Sequence, residues 1–142
     1  MNIKMLALLL AMSFALTSCD EGLKSPSDAF LIPQEQMATV VKEADAGDLN
    51  AVKRLIAHYD ATSGNDAIAG EWRAKARALG DAQELYYYAG SLYIRARREN
   101  DPVKRRVILE DALKAAERSS SSHADASTQK LIDDITRSLA SI

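Results

Sequence analysis

One thiol, two imidazoles and a run of serines are the nucleophile and ligand types offered by this sequence of 142 residues. Cys19 is the only cysteine, so the chain cannot form a disulfide within itself. His58 and His123 stand 65 residues apart, with no second thiol and no HExxH pair to complete a metal set. They read as structural or solvated imidazoles. Ser119–Ser122 could supply a hydroxyl, but no G-x-S-x-G turn surrounds them and no base and orienter are apparent. Glu110-Asp111 and Asp133-Asp134 are adjacent carboxylates. On a helix such neighbours point about 100° apart and make poor paired acids. No P-loop or dinucleotide fingerprint is present. The expectation is a protein without catalysis, with no catalytic residue, metal or cofactor.

Two features suit binding instead. The first is Tyr86-Tyr87-Tyr88 with Tyr93. Three consecutive tyrosines sweep about 200° around a helix, so Tyr87 or Tyr88 must show its ring, and tyrosine is enriched at binding hot spots. A packed ring with a wet hydroxyl is the plainer alternative. The second feature is Arg95, Arg97, Arg98, Lys104, Arg105 and Arg106, set against only Glu99 and Asp101. At the end of a helix the arginines complement its dipole, whereas Lys104 and Arg105 at the start of the next oppose it, at up to ~1 kcal/mol. A docking site for an acidic partner or for anionic headgroups would explain that choice, and a solvated charge run is the alternative. Tyr87, Tyr88, Arg95, Arg97, Arg98 and Arg105 are thus the candidate partner-binding residues.

The bulk numbers bound what such a site serves. Lys and Arg total 18 against 20 Asp and Glu, a net charge of −2. That balance argues against nucleic-acid binding, which calls for a strongly basic domain. With 47% hydrophobic and 27% charged residues the composition is that of an ordinary globular domain, and the length suits one.

The start of the chain carries an export segment. Met1–Lys4 holds one positive charge, an apolar run from Met5 to Leu16 is broken only by Ser13, and small residues Thr17 and Ser18 precede Cys19. That is the pattern of a secretory signal, and the run is too short for a bilayer, which needs about 20 apolar residues. Leu16-Thr17-Ser18-Cys19 resembles the lipobox of bacterial lipoproteins at all four positions. The resemblance implies that the Cys19 thiol receives diacylglycerol, that residues 1–18 are removed, and that the new amine is acylated, so that several chains anchor the protein stably. The expected place is the cell envelope, facing the periplasm. Asp20 resembles the signal that keeps enteric lipoproteins in the inner membrane. Residues 19–33, with Gly22, Ser25, Pro26, Ser27 and Pro33, lack helical periodicity and read as the lipidated cysteine and a flexible tether.

From residue 34 to 142 the pattern is helical, and the apolar spacing predicts six helices and no strand. Ala46-Gly47 ends the first, Asp48 caps the second, Gly80 stops the third and Asp81 caps the fourth. Asp101 with Pro102 starts the fifth, and Ser119–Ser122 reads as a polar break before the sixth. Leu55 and Trp72 are the expected core anchors; Ile94, Val103 and Val107 fall among the packed positions of their helices, and Ile142 closes the stripe of the sixth.

Lys42, Gly47 and Asp48 recur 33 residues later as Lys75, Gly80 and Asp81, a period that marks stacked helix pairs. Ala51-x-x-x-Leu55-x-x-x-Tyr59 is similar to the first helix of Sel-one-like repeats, relatives of the tetratricopeptide repeat. Trp72-x-x-Lys75-Ala76-x-x-x-Gly80 resembles their second helix. Leu85-x-x-x-Ala89-Gly90-x-x-Tyr93 looks like another first helix, and Ile108–Leu113 is similar to a generic tetratricopeptide second helix. The resemblance covers residues 38–117 and departs at Ile56, usually glycine, at Arg77, usually alanine, and in the short turn Thr62–Asn65. It implies an all-α fold of antiparallel helix pairs stacked as a short solenoid, a non-repetitive six-helix bundle being the alternative. It also implies a protein-binding module. Small exported Sel-one-like lipoproteins resemble immunity proteins, whose partners are toxins delivered to the periplasm. A scaffold or assembly subunit of an envelope complex is the alternative function, and a hydrolase the third.

Overall fold

The structure is a computed structural model and describes residues 26–142; the export segment and Cys19 lie outside the described residues. After a short 3-10 turn, Pro26–Phe30, come six helices: α1 Gln34–Asp45, α2 Leu49–Asp60, α3 Asp66–Ala78, α4 Ala82–Arg98, α5 Pro102–Ser122 and α6 Ala126–Ala140. No strand occurs among the described residues. The fold is all-α. Helix backbones lie close between sequence neighbours and between α4 and α6, the packing of a solenoid of helix pairs.

The 33-residue period is two copies of one joint. At the end of α1, Asp48 N donates to Glu43 O (3.1 Å) and Gly47 N to Ala44 O (3.0 Å). At the end of α3, Asp81 N donates to Ala76 O (3.0 Å) and Gly80 N to Arg77 O (3.1 Å). Both are Schellman closures, and both need a residue in the left-handed region, supplied by Gly47 (φ 96°) and Gly80 (φ 86°). The aspartate after each glycine then caps the next helix. Asp48 Oδ1 accepts from Asn50 N and Ala51 N, and Asp81 Oδ1 accepts from Glu84 N. Asp101 and Asp125 do the same for α5 and α6.

The joints stack. A Cβ on Gly47 would meet Leu79 Cδ2 at 3.8 Å, and one on Gly80 would meet Ser122 Oγ at 3.8 Å. Lys75 Nζ reaches Asp45 Oδ1 at 2.7 Å. The ends of α1, α3 and α5 therefore lie together, beside the starts of α2, α4 and α6, where Lys53 Nζ meets Asp81 Oδ2 at 3.1 Å. The opposite end of the molecule holds the start of α1, the α4–α5 turn and the end of α6, where the Tyr93 and Ser138 hydroxyls are 3.4 Å apart.

Buried apolar residues form two clusters. Val40, Ala44, Ala51, Val52, Leu55, Ile56 and Ala76 close the first, within α1–α3. Ala89, Leu92, Ala96, Leu109, Ala112, Ala115, Ala116 and Ile135 close the second, within α4–α6. The alanines facing one another across α4 and α5 bring these two backbones close. Leu85, 2% exposed, is the large apolar side chain buried outside both clusters. Polar links accompany it: Lys53–Asp81, Arg73–Glu84 and an Arg118 Nη2 donation to Arg77 O at 3.1 Å.

Several expectations need correction. Ser119–Ser122 is no break but the last turn of α5, because Ser119 is buried and its hydroxyl donates to Ala82 O at 2.7 Å. Trp72 is only partly buried, with Lys75 Nζ 5.3 Å from its ring, while Leu55 is fully enclosed. Ile94, Val103 and Val107 are exposed at 52%, 72% and 53%, and Ile142 lies beyond the end of α6. The far end of the expected tether is docked. Ile32 is buried in the first cluster, and its N–H donates to His58 Nδ1 at 3.0 Å. That bond gives His58 a structural role and fixes its Nδ1 as an acceptor.

Candidate functional site

Helix α4 carries most of the candidate residues. Leu85, Ala89, Leu92 and Ala96 form its buried stripe, so everything offset from that stripe faces a groove or solvent. The tyrosines fan out accordingly. Tyr86 is half-buried, Tyr87 is 57% exposed and Tyr88 40%. The Tyr86 and Tyr87 rings stand 5.7 Å apart and tilted, and Gln83 Nε2 donates to the Tyr87 hydroxyl at 3.3 Å. Tyr88 leans the other way, toward α3, where the Arg77 guanidinium lies over its ring at 4.5 Å. That is a cation–π contact, and it holds the Tyr88 ring against the fold.

A groove of about 420 Å³ opens at the starts of α2, α4 and α6, lined by Lys53, Gln83, Tyr86, Tyr87, His123 and Asp125 among others. It combines two aromatic rings with donors and acceptors of both charges. Ser119 and Ser127 also border it, so the residue types of a hydrolytic triad share one groove. They are not assembled as one. The Ser119 hydroxyl is bonded to Ala82 O, and Asp125 accepts from Ser127 N, Thr128 N and the Thr128 hydroxyl. Those bonds, the Thr128 hydroxyl first, hold the Asp125 carboxyl below the usual aspartate range. On the other side of α4 a second groove, about 370 Å³, is lined by Tyr88, Arg77, Leu85, Lys114 and Arg118. Among the described residues no group of three His, Cys, Asp or Glu side chains is placed to hold a metal ion.

The basic residues occupy the other end of α4 and the turn beyond it. Tyr87 and Arg98, eleven residues apart in sequence, are separated by roughly 16 Å along the helix. Arg95, Arg97, Arg98, Lys104 and Arg106 are exposed and make no ion pair within 4 Å among the described residues. Arg105 differs. Its Nε donates to Glu99 O at 3.0 Å and so satisfies a terminal carbonyl of α4, which gives a local reason for a cation at the start of α5. Glu99 Oε1 accepts from Asp101 N, and Asp101 caps α5, so both acids of this stretch serve the turn itself.

The six residues proposed from sequence thus fall into three settings. Tyr87 lines the first groove, Tyr88 the second, and the cations the opposite end. Sequence reasoning passed over Lys53 and Asp125 and set His123 aside as structural or solvated. Gln83, four residues before Tyr87, was within reach of helical spacing; the others arrive from α2 and the α5–α6 turn, and only the stacking of helices brings them in.

No known protein family, curated protein sequence or solved structure matches this chain. No helix among the described residues is long and apolar enough to cross a membrane.

Proposed function

We propose that this chain is a lipid-anchored protein-binding module of the bacterial envelope, held through Cys19 and facing the periplasm. Its partner is a protein seated in the groove beside Tyr86 and Tyr87. The carrying observation is that groove: two tyrosine rings, one of them more than half exposed, beside Gln83, Lys53 and His123. Exposed rings surrounded by polar groups are what desolvated hot spots are made of. The anchor rests on Leu16-Thr17-Ser18-Cys19 and the segment before it. The likeness of its repeats to Sel-one-like immunity lipoproteins favours a toxin that acts in the periplasm as the partner.

The test begins with crosslinking and pull-down of the intact protein from membranes, followed by binding kinetics with the recovered partner. Tyr87→Ala is expected to speed dissociation at least about tenfold, since a buried ring must be exposed again on leaving. Tyr88→Ala, whose ring is already held by Arg77, should change it little. Unchanged rates for Tyr87→Ala in a folded protein would remove this groove as the binding face.

A further inference from the structure

The end of the molecule that holds the basic cluster is also the end from which the chain departs toward Cys19. Helices α1, α3 and α5 finish at the groove end, as the Lys75–Asp45 pair and the Leu79 and Ser122 contacts over Gly47 and Gly80 require. The start of α1 and the α4–α5 turn are therefore both at the other end. Ile32, docked on His58 near the end of α2, sits at that same end. From Cys19 to Ile32 there are thirteen residues, five of them in the 3-10 turn, which together reach at most ~40 Å. An anchor at Cys19 keeps this end within that distance of the bilayer.

The surface there has the chemistry of a bilayer contact. Arg95, Arg97, Arg98, Lys104 and Arg106 are exposed and have no carboxylate of the described residues within 4 Å. Aliphatic side chains are also left in solvent at this end: Ile94 beside Arg97 and Arg98 on α4, at 52%, and Val103 and Val107 on α5, at 72% and 53% exposure. Val103 and Val107 are four apart and share one face of α5, with Lys104 and Arg106 on either side of it. Cations flanking a short aliphatic strip suit the headgroup boundary, where ammonium and guanidinium groups meet phosphate and methyl groups reach the acyl layer. Each such cation near an anionic leaflet strengthens attachment on the order of fivefold.

We propose that this end of the molecule docks on anionic phospholipid headgroups, and that docking points the tyrosine groove away from the bilayer. The inference rests on the anchored reading above. Docking gives these cations an anionic partner and gives the exposed valines a place out of water. It also leaves the groove at the far end open to a protein arriving from the periplasm.

Lys104 and Lys130 make the measurement direct, because they lie at the docking end and the groove end. The full-length protein, purified in detergent, is reconstituted into vesicles of phosphatidylcholine alone or of phosphatidylcholine with phosphatidylglycerol. The rate of lysine acylation is then read at each site by mass spectrometry. Phosphatidylglycerol is expected to slow modification of Lys104 at least about fivefold and leave Lys130 unchanged. Arg95→Glu with Arg98→Glu, both exposed, should abolish that shielding while circular dichroism stays the same. Equal reactivity of Lys104 in the two kinds of vesicle overturns the proposal, and so does equal shielding of Lys104 and Lys130. A cluster that serves an acidic protein instead would give the first of those results. Flotation with neutral vesicles reads the anchor separately, so loss of the anchor and loss of docking are told apart.

Discussion

Glu84 shows how one side chain at a joint between helices is set by competing forces. It is the third residue of α4, and Arg73 Nε lies 3.8 Å from its carboxylate. Burial raises its pKa more than Arg73 lowers it, and the nearby Asp81 charge adds to the rise. A folded-state pKa above the unfolded one means that the fold prefers the protonated form. The stability this gives is present below the unfolded pKa and is lost as pH rises through the folded value. Glu84→Gln is therefore expected to raise the melting temperature at neutral pH and to confer no gain in mild acid. Arg73 has a second partner in Asp60, at 2.6 Å, which the substitution does not touch. Thermal melts at the two pH values check this, and a variant less stable at neutral pH contradicts it. Residue-level chemistry was partly legible in the sequence. The three consecutive tyrosines could not all be buried, and two are exposed. The position of Arg105 looked unfavourable because its bond to the Glu99 carbonyl depends on the turn geometry, which spacing alone does not give.

At the scale of the element, helix starts were easy to read and one helix end was not. Asp48, Asp81 and Asp101 announce themselves because a short carboxylate before an apolar stripe satisfies the first free N–H groups. The serines at 119–122 mislead because serine has only middling helix propensity and favours caps and turns. Here Ser119 is anchored on Ala82 O, and Ser121 and Ser122 bond back to the carbonyls of Glu117 and Arg118. The tertiary bond outweighs the local preference. Ser119→Ala should consequently lower stability by about 0.5–1.5 kcal/mol through loss of the bond to Ala82 O. Ser121→Ala, exposed, should be neutral or stabilising by a few tenths of a kcal/mol. Denaturant midpoints of the two variants decide the matter; equal effects would return these serines to the status of a loop. The same helix shows why apolar periodicity overstates the core. Val103 and Val107 repeat at helical spacing, but no helix among the described residues packs over that face.

Taken whole, the molecule is two apolar clusters joined by few large side chains, and this division was invisible in the sequence. The 33-residue period was legible because each copy of the joint uses the same glycine and aspartate, whereas the grooves depend on residues from distant helices. Leu85, buried outside both clusters, borders the second groove with Ala74 and Ala78 of α3 and Ala115 of α5. Leu85→Ala should cost about 2–5 kcal/mol and uncouple the two clusters. Trp72, which belongs to the first cluster, would then lose its native fluorescence at a different denaturant concentration from the loss of helical circular dichroism. Coincident transitions in the variant would show that the polar links suffice for coupling. The central claim is that the groove beside Tyr87 receives a protein while the chain is held at the envelope. Its most direct measurement is photocrosslinking in intact cells, with the photoreactive group placed at position 87 or at position 129 of the full-length protein. Gln129 is exposed on α6 and does not line the groove. A crosslinked protein partner from position 87 and none from position 129 is the predicted result; crosslinks from 129 alone, or none from 87, would contradict the account.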